Sequence, residues 1–414
     1  MKIDLNKPEV VAWLGQFPGS DEALARRLLD RVRLVSADEL QTGLTKLIVE
    51  RGQAAGRPVG LYAERSVRMR LGQPNRLFKE APGKIKRAFG AGPEPVKSEH
   101  AGHHETGSEG IVASLVTNLT RKHKATFLNH PGPDVIRAKK MRRFILVTDF
   151  IGTGRQARRY LDAAWRLASV KSWVSGKFLS FEVVCFSATD AGIAYLSKHP
   201  CKPSVHQVAA SPTLETYAPY EGRDLTDLCM KYGPLDSETG IPRLGYGDTG
   251  ALIAFAHGMP NNAPRLLFAR GKKWTPLFAA RVTGGVEVGA TESAEQAIRE
   301  KLTRLAEKKL ASSAPKSAGD LNVYVTALVL SALKRKPRTP EVVSARTGLS
   351  LSDCAAALER VRAAGWIDAD NRLLAKAYVE LKYLRGREKP EGLLLPSGKS
   401  LYCPQQLRAP KGVV

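Results

Sequence analysis

Phe144-Ile145-Leu146-Val147-Thr148-Asp149-Phe150-Ile151-Gly152-Thr153-Gly154-Arg155-Gln156 is the stretch on which the reading of this chain turns. Four uninterrupted apolar residues running into Thr-Asp read as a buried strand over 144–149, and residues 155–168 read as a helix. Between them lies a Gly-Thr-Gly turn. Glycines at 152 and 154 let backbone N–H groups approach a ligand closely, and the helix N-terminus presents unsatisfied donors and a positive dipole end. A phosphate would sit there, with the Thr153 hydroxyl as a further donor and Arg155 and Gln156 closing over it. Asp149, at the carboxyl end of the strand, is placed to accept hydrogen bonds from vicinal sugar hydroxyls. The competing reading is a Gly-rich strand-to-helix turn that binds nothing.

Outward from this segment, strand and helix alternate. Residues 58–63 read as a short buried strand, 109–119 as an amphipathic helix and 179–186 as a further strand. Alternation of this kind implies an α/β fold with a parallel sheet flanked by helices. The first 55 residues form a helical N-terminal extension, with apolar residues at three-and-four spacing over 23–29 and a capping box from Ser36 to Glu39. Residues 79–108 combine Lys, Gly, Pro and His and read as a long mobile loop with at most a short helix. Residues 225–281 are rich in Gly, Pro and aromatics, and 293–310 read as a charged helix. The small, polar, unpatterned run 311–320 marks a linker that closes the domain of 56–310.

Beyond the linker, 321–375 carry a second pattern. An apolar helix through Leu328 and Leu333 ends in the basic run Lys334-Arg335-Lys336-Pro337-Arg338. Thr339-Pro340-Glu341 starts a second helix and Ser350 caps a third, after which 365–374 read as a hairpin. That succession resembles a winged helix-turn-helix. For a nucleic acid, Ser350, Ser352, Arg360 and Arg362 would lie on or near the recognition helix and Arg372 on the wing; winged helices also serve as protein-interaction modules. Residues 376–414 form a basic tail.

Composition bounds the partners. Of 414 residues, 64 are Lys or Arg and 40 are Asp or Glu, a formal net charge of +24 that points to a polyanion such as DNA, RNA or a phosphate-rich ligand. No run approaches the length of a spanning helix and no apolar signal region opens the chain, so a cytoplasmic protein is expected, with no membrane partner. The five cysteines, widely spaced and without CxxC, support neither a disulfide framework nor a zinc site. His100, His103 and His104 with Glu99 and Glu105 lie in a low-complexity stretch without a scaffold, and no metal site of the protein's own is expected.

The segment 148–156 resembles the ribose-5-phosphate motif of type I phosphoribosyltransferases, with departures at Thr148, which replaces the first acidic residue, and at Gln156, which replaces the final hydroxyl residue. The resemblance implies that Asp149, the catalytic candidate, receives the ribose hydroxyls. Thr148, Gly152, Thr153, Gly154, Arg155 and Gln156 would then line the 5-phosphate site, with Mg2+ entering on the substrate's phosphates. Gly152 stands where purine-salvage members place a base-contacting Asp, which makes nucleobase salvage the least favoured activity. Arg65 is the pyrophosphate candidate. The amides of Asn261 and Asn262 are candidate base contacts or a plain hydrogen-bonded turn, and Asp248 and His257 are weaker candidates. Trp13, Phe17, Leu244-Gly245-Tyr246-Gly247, Pro260-Asn261-Asn262 and Trp274-Thr275-Pro276-Leu277-Phe278, taken together, resemble the phosphoribosyltransferase-like effectors of bacterial conflict systems, including retron-associated ones. That resemblance implies an anti-phage effector acting on phosphoribosyl pyrophosphate or a nucleotide. Its winged helix would engage DNA, msDNA or a retron reverse transcriptase. The alternative is a transcription regulator that senses a phosphorylated ribose without catalysis.

Overall fold

The computed structural model describes residues 3–94, 108–217, 222–235, 240–283, 301, 302, 305, 307 and 321–384. It divides into two compact units, 1–288 and 289–414.

Among its described residues the first unit has eleven strands: β1 Arg33–Val35, β2 Val59–Ala63, β3 Met69–Arg70, β4 Gln73–Pro74, β5 Lys79–Glu80, β6 Ala88–Phe89, β7 Phe127–Asn129, β8 Arg143–Ile151, β9 Ser180–Ala188, β10 Ser204–Ala210 and β11 Ile253–Phe255. Five of them form a parallel sheet in the order β10-β9-β8-β2-β7. The apolar run of β8 is continuous because helices cover both faces of the sheet. Phe144 and Leu146 enter one core with Tyr62, Leu161, Val170 and Val183. Ile145 and Val147, one residue out of phase, enter the other with Leu44, Ile48, Val116 and Phe186. The period of two along a strand thus divides one hydrophobic segment between two cores.

Strand order fixes where a ligand can lie. The chain leaves β2 for β7 on one side and leaves β8 for β9 on the other, so the crevice beyond the carboxyl ends of β2 and β8 is the topological switch point, the usual ligand position in open α/β sheets. Register makes the two ends neighbours. Ala63 pairs with Val147, and the Glu64 N–H donates to the Val147 carbonyl at 2.8 Å. His130 secures the end of β2: burial pushes its pKa down to about 4, and the neutral ring accepts the Ala63 N–H at Nε2 (3.0 Å) with Nδ1 against Asn129 Oδ1 (2.6 Å).

The helical opening packs into this unit. Ala37–Gln53 lies on the sheet, and the Ser36 hydroxyl accepts the Glu39 N–H as the capping box requires. β1 pairs in parallel with β11, more than two hundred residues later. Trp274, far along the sequence, makes edge-on aromatic contacts with Trp13 and Phe17 in a third core, and Gln16 bonds Thr275 in both directions.

Three expectations need correction. The helix expected over 155–168 is two, Arg155–Trp165 and Ala168–Ser175, because Leu167 takes an extended backbone (φ −94°, ψ 127°) and inserts into the sheet core with Val170. The loop expected from 79 contains no helix over its described part, 79–94. Instead β5 and β6 pair antiparallel, with Phe78 and Ala88 buried under them. The basic tail expected from 376 begins as a helix, Ala375–Leu384, whose Ala377 and Leu381 are buried. The linker 311–320, most of 293–310 and the histidines 100, 103 and 104 lie outside the described residues.

The second unit contains Leu321–Ala332, Pro340–Thr347 and Leu351–Ala363, followed by a minimal wing, a single bridge between Ile367 and Leu373. Leu328, Val343, Leu358, Val361 and Trp366 make its core. Thr339 and Ser350 cap their helices through Val342 N–H and Asp353 N–H, and Gly348 closes the intervening turn with φ 65°. Arg346 donates to the carbonyls of Arg335, Lys336 and Pro337, tying the basic run to the second helix.

Candidate functional site

The site grows from the carboxyl end of β8. Past Ile151 the chain turns through Gly152, Thr153 and Gly154 into the helix Arg155–Trp165. Gly154 has φ 72° and no side chain with which to cap the helix, and the Arg155 N–H makes a long 3.5 Å bond to Thr153 Oγ1 that a phosphate oxygen can replace. The turn is held from outside: Thr189 Oγ1 donates to the Gly152 carbonyl at 2.6 Å. A Cβ on Gly152 would lie 2.2 Å from Asn262, and one on Gly247 2.4 Å from the Thr153 methyl, so glycine at both positions allows 245–262 to close on the phosphate loop.

Two cavities meet here, of about 310 and 500 Å3, sharing Glu64, Phe150, Gln156, Asn261 and Asn262. The smaller follows Gly152–Ala157 with Arg159 and Tyr246. The larger adds Asp149, His257 and Thr283. Such volumes suit a small organic ligand.

The charged groups form one network. Asp149 Oδ1 accepts the Phe150 N–H at 2.8 Å, and Asp149 Oδ2 lies 2.8 Å from His257 Nε2, with both side chains nearly buried. Thr148 Oγ1 donates to Glu64 Oε2 at 2.6 Å and lies 3.3 Å from Asp149 Oδ1. Glu64 is buried, and its Oε1 has no hydrogen-bond partner among the described residues. Burial raises the Glu64 carboxyl to about 8; the Thr148 hydrogen bond opposes this, while the Asp149 and Glu109 carboxylates add to it. Glu64 is therefore largely neutral at pH 7. Beside Thr148, which stands where the motif has its first acidic residue, the Glu64 carboxyl from the end of the adjacent strand accepts the Thr148 hydroxyl.

The other expected residues divide. Thr153, Arg155 and Gln156 line the smaller cavity. Arg155 bonds the Tyr246 hydroxyl (3.1 Å) and Gln156 bonds Glu109 (3.3 Å). Asn261 lines both cavities, whereas Asn262 commits its amide N–H groups to the Tyr246 carbonyl and Thr249 Oγ1, as a structural turn would. Arg65 lines neither cavity and donates to the Glu94 carbonyl. Asp248, at φ 51°, sits in the short turn 246–248 and lines neither. Glu64 was legible only as part of a charged run, and His257 only as a weak candidate, because their partners are 84 and 108 residues away in sequence.

In the winged helix, Ser350 is consumed as a cap, with its hydroxyl also 2.7 Å from Asp353 Oδ2. Arg362 is exposed and reaches Asn371 (2.7 Å), Arg360 Nε is buried, and Arg372 lies 3.6 Å from Asp370. Ser352 shares the exposed face with Asp353 and Glu359.

Among the described residues no group of three or more His, Cys, Asp or Glu could hold a metal ion, and no helix is long and apolar enough to cross a membrane. Neither curated proteins nor solved structures yield a match to the chain. Family models do: residues 327–409 match a winged helix-turn-helix described as PRTase-associated, and residues 10–279 match PRTase-CE, PRTase denoting phosphoribosyltransferase. With well over half of its length matched, and with a phosphoribosyltransferase-like loop at the switch point of a parallel sheet, this chain belongs to the PRTase-CE family.

Proposed function

We propose that the crevice beyond β2 and β8 binds a phosphorylated ribose, as phosphoribosyl pyrophosphate or a nucleotide, and that the protein acts at the ribose C1 as an effector of anti-phage defence. The observation that carries this reading is the meeting of the Gly152–Gln156 loop with Asp149, His257 and Glu64 around joined cavities. The phosphate rests on the loop and the ribose on the shared wall.

His257 supplies the base that the sequence did not reveal. An ionised Asp149 accepts the Nε2 proton, which leaves Nδ1 as the lone-pair nitrogen, and no described residue bonds to it. As the C1–O or C1–N bond breaks and its electron pair leaves with pyrophosphate or base, the oxygen of a water or acceptor hydroxyl bonds C1 and gives its proton to Nδ1. Magnesium fits as a substrate-borne ion, which needs only one or two carboxylates, and Asp149 on the wall of the larger cavity would be the one to hold it. The ion would supply charge neutralisation at the leaving phosphates. The winged helix engages nucleic acid or a retron reverse transcriptase–msDNA complex.

The test is turnover by the purified chain with Mg2+ and phosphoribosyl pyrophosphate. His257→Gln is expected to bind ligand within a few-fold of wild type and to lose about 100-fold or more in rate. An unchanged rate would overturn the base assignment. A sensing regulator is the second reading, favoured because Thr148 and Gln156 both spend their side chains on internal carboxylates. Tight binding without turnover by wild type would select it.

A further inference from the structure

On the helix Leu351–Ala363 the exposed Asp353 and Glu359 offset the exposed Arg362, a weak electrostatic match to a polyanion. Unpaired positive charge is concentrated elsewhere, on the two β-ribbons that follow Glu64. β3 and β4 form the first, joined by Leu71-Gly72, and β5 and β6 form the second, joined by 81–87. Arg68, Arg70, Lys79, Lys84 and Lys86 are exposed and make no ion pair with any described residue; Glu80 is taken by Arg76. The ribbons are also firmly seated. Leu77 N–H donates to the Ala163 carbonyl, Arg166 to the Pro74 carbonyl, and Ala88 N–H to Ser169 Oγ, while Phe78 and Ala88 are buried in the sheet core. The cations project from a fixed base.

The tips carry apolar side chains that nothing in the fold uses. Leu71 is 96% exposed and Ile85 82%. Leu71 also has φ 50° and Gly72 φ 73°, the two left-handed residues of a tight hairpin turn, where Asn-Gly is the comfortable pair. A leucine held in that conformation with its side chain in water costs stability and returns none through packing. Retaining an exposed, strained apolar residue between arginines suits contact with something outside the chain.

We propose that the two ribbons form a nucleic-acid-binding surface of the first unit, in which Arg68, Arg70, Lys84 and Lys86 neutralise backbone phosphates and Leu71 packs against base pairs as an apolar wedge. Arginine forks match phosphate oxygens, and a ribbon with an apolar tip flanked by basic residues is a recurrent way to hold and deform a duplex. Arg68, the first of these cations, follows Glu64 of the crevice by four residues. This inference does not depend on the ligand or the chemistry assigned to that crevice.

The experiment measures binding of the full chain to a short mixed-sequence duplex DNA by fluorescence anisotropy across a salt series. Each phosphate contact contributes about 0.9 to the slope of log K against log salt, so Arg68→Ala/Arg70→Ala/Lys84→Ala/Lys86→Ala is expected to flatten the slope by about 3 to 4. The side chains are exposed, so the melting temperature should hold, which separates lost binding from lost folding. Leu71→Asn, which suits the left-handed turn, is expected to keep the slope and weaken binding about fivefold at every salt concentration, as loss of a non-electrostatic contact would. An unchanged slope in the quadruple variant overturns the surface, and so does loss of binding to anionic vesicles with DNA binding intact. Unchanged affinity in Leu71→Asn overturns the wedge.

Discussion

Glu64 makes the stability of the first unit depend on pH in a way that one substitution isolates. Its carboxyl titrates near 8 in the folded protein, against 4.5 for an ordinary glutamate, chiefly because it is buried. Between those values the folded form retains a proton that the unfolded chain has released. Stability is therefore highest below pH 4.5 as far as this group is concerned, and it falls as pH rises through the window, by at most about 1.4 kcal/mol per unit. Between pH 5.5 and pH 7.5 the loss attributable to Glu64 is about 2.5 kcal/mol. Glu64→Gln retains an acceptor for the Thr148 hydroxyl and cannot ionise, so the difference between wild type and variant isolates this carboxyl from every other titrating group. Urea unfolding of both proteins at the two pH values is the assay. The variant should gain about 2.5 kcal/mol relative to wild type on going from the lower to the higher pH. A difference that moves by less than about 0.5 kcal/mol would show that the Glu64 carboxyl is not held neutral, and the neutral-glutamate picture of the crevice would fall.

Other perturbations test other parts. Gly152→Ala would place a Cβ 2.2 Å from Asn262, displacing an amide that holds the Tyr246 carbonyl and Thr249. A cost of about 1–3 kcal/mol and loss of phosphate-ligand affinity are expected, and shortening Asn262 to Ser in the same chain should restore part of both; equal affinity in the single variant would contradict the close packing. Arg346→Ala removes the donors that hold the carbonyls of Arg335, Lys336 and Pro337. Amide hydrogen exchange should accelerate over 334–347 with about 1–3 kcal/mol lost, while exchange in the first unit stays as it was.

The parts of the fold that were legible from sequence are those whose signal is local. β8 announces itself by an apolar run that needs two covered faces, and the turn after it by glycines at 152 and 154. The caps at Ser36, Thr339 and Ser350 lie within three residues of their partners. What was not legible is long-range. β10 reads Ser-Val-His-Gln-Val-Ala-Ala, a half-buried edge strand without clean alternation, and β1 and β11 are three residues each and are strands only because they find one another. The candidate site divides in the same way. Asp149 and the loop 152–156 follow from one short segment, whereas the Glu64 bond to Thr148 depends on the pairing of β2 with β8, and the His257 pairing with Asp149 on the approach of a distant loop. Helix 155–168 was read too long because burial of Leu167, a tertiary demand, overrides its local helical pattern.

The claim that a phosphorylated ribose occupies the crevice with its hydroxyls at Asp149 is tested most directly by calorimetric titration of the full chain with magnesium phosphoribosyl pyrophosphate, in wild type and in Asp149→Asn. Saturable binding by wild type, weakened about tenfold or more in the variant, is the predicted result, since the substitution removes the charged acceptor. Equal binding by both proteins, or none by wild type, would contradict the assignment of this crevice.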